Sequence, residues 1–239
     1  MKTLTAIIAS TLTVLALAAL PAQAAIYSDA TGENFTTAGG GILDITSVEV
    51  NNTATDLIFK INLAGDPVAT DWGKYCIGFD TTAGGDPAGN GWVRPISMSS
   101  GMDYWVGSWV DGGNGAELRN WNGSAWPGSP QSATYNPNPD ALSISKNTSS
   151  VTLQFHFAGM GLGVGSTFHF DVYTTGGGGG DGAVDSLANP SQSISDWGNS
   201  YDSVLQDAFT IAPVPEPATA ALFGLAGLIV IQRGLRRRK

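Results

Sequence analysis

The sequence predicts an all-β protein: an antiparallel β-sandwich of jelly-roll type, flanked by an N-terminal signal helix and a C-terminal membrane helix. Three observations lead there. Apolar and polar residues alternate with period two in several interior stretches, the mark of half-buried strands. Glycine is abundant, 32 of 239 residues, and gathers with Asp, Asn and Pro between those stretches. Long apolar runs occur only at the two ends.

The N-terminal end reads as a secretory signal, residues 1–24. Lys2 gives a positive start, Leu4 to Leu20 an apolar centre, and Pro21-Ala-Gln-Ala24 the small residues that a signal peptidase reads. Cleavage is expected between Ala24 and Ala25. The domain then spans residues 25–212. Expected strands are Ile42–Val50, Leu57–Leu63, Tyr75–Phe79, Trp92–Ser97, Tyr104–Val110, Glu117–Trp121, Leu142–Ser145, Val151–Phe157, Phe168–Val172 and Ala208–Ile211. Turn clusters such as Ala64-Gly-Asp-Pro67 and Asp111-Gly-Gly-Asn-Gly115 separate them. Trp126 to Asp140, with four prolines, reads as an irregular loop. Thr174 to Pro190, with five consecutive glycines, reads as another.

The last segment, residues 213–239, differs from everything before it. Pro213, Pro215 and Pro217 stop any helix from extending upstream. The apolar stretch Ala218–Ile231 would span about 21 Å as a helix, short of a hydrocarbon core of about 30 Å. Gly224 and Gly227 are tolerated in membrane helices, and the basic end after Arg233 holds that side in the cytoplasm.

Without its two ends the chain is strongly acidic. Lys60, Lys74, Arg94, Arg119 and Lys146 face nineteen acids, a net charge of about −14. That excludes a nucleic-acid binder, which needs clustered cations on phosphate. Cys76 is the single cysteine, so no internal disulfide forms, and its place in a strand pattern favours burial.

Val214-Pro215-Glu216-Pro217-Ala218, followed by a glycine-containing apolar stretch and an arginine cluster, resembles the PEP-CTERM sorting signal of Gram-negative bacteria that make extracellular polysaccharide. The resemblance implies recognition by an exosortase, a membrane-embedded protease of transpeptidase type. It implies a transient inner-membrane anchor, followed by the cell envelope or the extracellular space. The interior is similar to the DOMON-like β-sandwiches, which include family-nine carbohydrate-binding modules. Leu43-Asp-Ile-Thr-Ser-Val-Glu-Val50, Leu57-Ile-Phe-Lys-Ile-Asn-Leu63 and Trp72-Gly-Lys-Tyr-Cys-Ile-Gly-Phe-Asp80 carry that likeness.

Three groups of residues are candidates for function. Trp92, Trp105, Trp109, Trp121 and Trp126 lie close in sequence, and sugars stack their C–H faces on aromatic rings. Trp105 and Trp109 share one strand face, with Gly107 leaving a shelf between them. Trp105, Trp109, Trp121 and Trp126 are the expected polysaccharide contacts; the alternative is that they close the core. Asp181 and Asp185, in the glycine-rich loop, offer oxygens to Ca²⁺. His156 and His169 would stand opposite each other if Gly159–Gly165 connected a hairpin, as metal ligands or as exposed neighbours. No H-E-x-x-H, G-x-S-x-G or phosphate loop is present. The expectation is an exported, non-catalytic envelope or matrix protein. Its alternatives are a small secreted glycoside hydrolase, or an accessory module of one, and a purely structural matrix protein.

Overall fold

A computed structural model describes residues 24–134, 142–189 and 194–214. They belong to one compact unit, Ala22–Val214. The expected signal helix, the C-terminal membrane helix and part of the proline-rich loop lie outside the described residues.

The described chain is all-β. Its strands are β1 (Ala25–Ser28), β2 (Ile45–Asn52), β3 (Asp56–Leu63), β4 (Lys74–Asp80), β5 (Ile96–Ser97), β6 (Tyr104–Trp109) and β7 (Gly115–Asn120). They continue with β8 (Ser132–Ala133), β9 (Leu142–Lys146), β10 (Ser150–His156), β11 (Thr167–Thr175), β12 (Ala183–Ser186), β13 (Tyr201–Asp202) and β14 (Asp207–Thr210). One antiparallel sheet runs β1-β2-β3-β10-β9 and the other β12-β11-β4-β6-β7-β8. Strand β14 pairs with the first half of β11, and β12 pairs with the second half. The short pair of β5 and β13 is parallel.

The alternation seen in the sequence builds the space between the sheets. Val48, Phe59, Ile61, Leu153 and Phe155 meet Ile77, Phe79, Val106, Phe168 and Phe170 in one core. Phe59 is its hub: its ring stands edge-on to Phe79 at 5.6 Å and to Phe170 at 5.1 Å, across the two sheets. Such edge-to-face pairs add to the burial of apolar area.

The second sheet is buried on both faces, which alternation alone did not foretell. Its outer face carries Cys76, Trp105 and Tyr173, and the chain folds Ile96, Met98, Met102 and Tyr201 over them into a second core. Strand β4 is therefore buried along almost its whole length. Burial pushes the free Cys76 thiol up to about 12, so it stays protonated and inert at neutral pH.

Asp171 lies inside this outer layer and is fully buried. Its carboxylate accepts bonds from the Ser203 and Ser186 hydroxyls at 2.5 and 2.9 Å, and from Tyr201 at 3.2 Å. Backbone N–H groups of Val172 and Ala188 complete the cradle. Burial raises its pKa from 3.8 to about 6, and these donors hold it from rising further. The folded state thus binds the proton more tightly than the unfolded chain. Stability from this group is greatest below about pH 4 and falls as pH rises toward 6. The Asp171→Asn variant lacks that titration. Its deficit against wild type, read from urea midpoints, should shrink on the order of 2–3 kcal/mol between about pH 3 and pH 7.

Several expected elements change. The stretch Trp92–Ser97 forms a strand only over Ile96–Ser97. Val93 has a left-handed φ of 57°, and its side chain is 86% exposed, so the chain turns there. The glycine-rich loop contains β12, and β1 precedes the first expected strand. The hairpin joining Val151–Phe157 to Phe168–Val172 does not form. Strand β10 pairs with β3 and β9, and β11 belongs to the other sheet. Phe157–Met160 make a 3-10 turn whose Phe157 and Met160 are buried, and the chain crosses there between sheets. All four phenylalanines of the two motifs still point into the common core.

Candidate functional site

The tryptophans expected to act together are divided by the fold. Trp105 is 0% exposed and belongs to the second core, so it is no ligand contact. Its ring stacks on Tyr173 at 5.9 Å with an interplanar angle of 19°. The shelf expected between Trp105 and Trp109 is filled. A Cβ at Gly107 would overlap the Trp92 ring, which lies against that glycine and reaches Trp105 and Trp109, each at 6.3 Å. Trp121 and Trp126 face each other at 5.8 Å. They follow the far end of the β6–β7 hairpin, since Tyr104 pairs with Asn120 there and Trp109 with Gly115 at the near end. Trp126 donates its Nε1–H to Asp86 at 2.8 Å and packs on the second core.

A different set of tryptophans lines an open cleft of about 510 Å³: Trp72, Trp92 and Trp109, with Lys74, Arg94 and Asp111. Antiparallel register brings them together. Lys74 opens β4 and pairs with Trp109, which closes β6. Trp72 lies two residues before β4, and Asp111 lies in the turn after β6. Glycine is the local device. Gly107 seats Trp92, and Gly115 seats Trp109, whose ring any Cβ there would overlap. Both rings therefore lie flat on backbone and keep their outer surfaces half-exposed.

Charge is arranged around them in fixed pairs. Lys74 Nζ donates to both Asp111 oxygens at 3.1 Å and to the Trp72 carbonyl at 3.1 Å. Arg94 is buried, and its guanidinium lies 5.4 Å from the centre of the Trp92 ring. Its Nη1 donates to Thr175 Oγ1 and to the Gly178 and Asp181 carbonyls, each at 2.9 Å. Arg94 thus fastens the glycine loop, whose Gly177 and Gly179 form the opposite wall. Trp92 Nε1 donates to Glu117 at 3.1 Å, and Arg119 neutralises that carboxylate at 2.6 Å. Trp72 and Arg94 escaped the sequence reading. The only signal for Trp72 was its place beside the Lys74 strand, and a lone arginine gives no sign of its hydrogen-bonding partners.

Asp181 and Asp185 are put to separate uses. Asp181 accepts the Gly178 N–H at 2.8 Å and closes its own loop. Asp185 is buried in β12, where it groups with Asp29 and Glu33. The two histidines also separate. His156 is set opposite Asp56, and its Nδ1 bonds that carboxylate. His169 faces Asp80 and Ala208. The two-histidine metal site is thereby overturned. His156 borders a second, more apolar cleft of about 460 Å³ with Phe157 and Leu118. Among the described residues no helix is long and apolar enough to cross a membrane.

The fold and clefts define a β-sandwich with an aromatic groove at one end of its second sheet. Residues 213–239 match the PEP-CTERM protein-sorting motif. The motif marks an exported, exosortase-sorted protein of the cell envelope, and Val214, Pro215, Glu216 and Pro217 lie within the matched segment. No curated protein matches the chain.

Proposed function

We infer that this protein is a non-catalytic polysaccharide binder of the envelope or extracellular matrix, and that the Trp72–Trp92–Trp109 cleft is its glycan contact. In this reading signal peptidase removes residues 1–24, the C-terminal segment anchors the chain briefly in the inner membrane, and an exosortase then acts on the motif. One observation carries the binding role: three half-buried indoles open into a single cleft beside fixed polar groups. Indole faces suit the C–H faces of pyranose rings. Asp111 and the loop carbonyls accept bonds from hydroxyls, and Lys74 donates to ring or hydroxyl oxygens. Because Lys74 is already paired with Asp111 and the domain is strongly acidic, a neutral glycan suits the cleft better than a polyanion.

Co-sedimentation of the full chain, solubilised in mild detergent, with insoluble neutral polysaccharides tests this. Wild type should be retained. Trp72→Ala and Trp109→Ala should each weaken retention about tenfold, roughly 1.4 kcal/mol per ring. Trp121→Ala, at the other end of the hairpin, should bind as wild type does. Equal retention of all four proteins would place the glycan contact outside this cleft, and no retention of wild type would leave a purely structural matrix role.

A further inference from the structure

Away from the cleft, three acidic side chains converge where the first strand ends. Ligand oxygens of Asp29, Glu33 and Asp185 all lie within 4.8 Å of one another. Asp185 is only 4% exposed, and both of its oxygens are oriented by backbone, one by Ile45 N–H at 2.6 Å and the other by Ser186 N–H at 2.8 Å. The neighbouring side chains share a pattern: one atom is anchored and the other is left over. Asp29 Oδ1 accepts Ala30 N–H, while its Oδ2 is fully enclosed and has no partner. Asp44 Oδ2 accepts Gly32 N–H, and its Oδ1 is enclosed without a partner. Asn34 Nδ2 donates to Leu43 O, and its Oδ1 is likewise unmatched. Burying such acceptors without a donor is costly.

No basic side chain offsets this charge. The five cations of the domain are all engaged elsewhere. Lys60 pairs with Glu49, Lys74 with Asp111, Arg119 with Glu117 and Lys146 with Asp71, while Arg94 holds the glycine loop. The group is therefore a concentration of negative, oxygen-only donors with nothing positive beside it.

We propose that Asp29, Glu33 and Asp185 form a Ca²⁺ site that fastens the start of the mature domain to β12. The donor set is hard and has no nitrogen or sulfur, which selects Ca²⁺ or Mg²⁺ over transition metals. Protein carboxylates drawn from two separate segments suit the larger, adaptable shell of Ca²⁺. Mg²⁺ prefers a strict octahedron rich in water. Glu33 is exposed and gives the ion a route from solvent. Burial, together with the neighbouring acids, pushes Asp29 up to about 7 and Asp185 to about 8, as expected where carboxylates crowd without a counter-ion. The site uses neither Asp181 nor any cleft residue, so it stands independently of glycan binding.

The test is calorimetric titration of the EGTA-treated full chain, in mild detergent, with CaCl₂ and separately with MgCl₂, paired with thermal melts. Calcium should bind with Kd on the order of 10⁻⁴–10⁻³ M or tighter, and more tightly than magnesium. At about a hundredfold excess over Kd it should raise Tm by roughly 5–10 °C. Glu33→Gln, at an exposed position, should leave the calcium-free Tm at least as high as wild type and weaken calcium binding at least about tenfold. Asp185→Asn should do the same to binding, and Asp181→Asn should not. The absence of heat and of a Tm shift up to about 10 mM calcium would overturn the site. A full calcium response surviving in both Glu33→Gln and Asp185→Asn would overturn it equally.

Discussion

Trp105→Ala should cost about 3–5 kcal/mol of folding stability, seen as a lower urea midpoint with an unchanged slope. The ring is completely enclosed, with Tyr173 stacked on one side and Trp92 against it at 6.3 Å. Truncation leaves a void as large as an indole. The strand behind it is fixed on both sides by β4 and β7, so the void cannot close by backbone movement. A smaller effect opposes the loss: Trp105 Nε1 is buried without a partner, and removing it relieves that penalty. The cost of the void outweighs this relief. A loss under about 1 kcal/mol would mean that the ring faces solvent and the second core is not as described.

Gly107→Val should destabilise by about 2–3 kcal/mol and disturb the cleft as well. The sign is the informative part. Valine is the better strand former, so by intrinsic preference this change should stabilise β6. Here the added side chain enters the space of the Trp92 ring. That ring is held by its bond to Glu117 and by the Arg94 guanidinium over its face, so it cannot turn away without breaking both. Thermal melts of Gly107→Val, Gly107→Ala and wild type should descend in stability as side-chain volume grows. A neutral or stabilising valine would show that Trp92 does not rest on this glycine.

These two positions also show where the sequence was legible. The open shelf expected at Gly107 is filled, and nothing in the local pattern said that Trp92, fifteen residues earlier, would close it. Strand alternation was a good guide wherever one face met the main core, as at Leu57–Leu63 and Phe168–Val172. It misled where loops fold back over the outer face, because burial on both sides erases the polar half of the pattern. The histidine pair failed for another reason. Period-two spacing fixes the face on which a residue lies but not which strand lies next to it, and the Phe157–Met160 turn sends the chain to the opposite sheet. The cleft itself was only partly visible. Trp109 was among the residues singled out, but Trp72, Lys74 and Arg94 join it through antiparallel register and loop closure, which span tens of residues. The C-terminal sorting motif was legible, since its information lies in the order of contiguous residues.

Near the end of the described chain, Ile211 is fully buried, and the backbone of Ala212 is bracketed by Asn52, which donates to its carbonyl at 2.8 Å and accepts its N–H at 3.0 Å. Pro213 and Val214, the next residues, are exposed. A cut at any bond beyond Ala212 would thus remove no strand and no core side chain from the described domain. Within the described residues, the strands and core contacts would be the same before and after such a cut. Ala212, the last residue held by the fold, would already be tied to Asn52 at the moment of release.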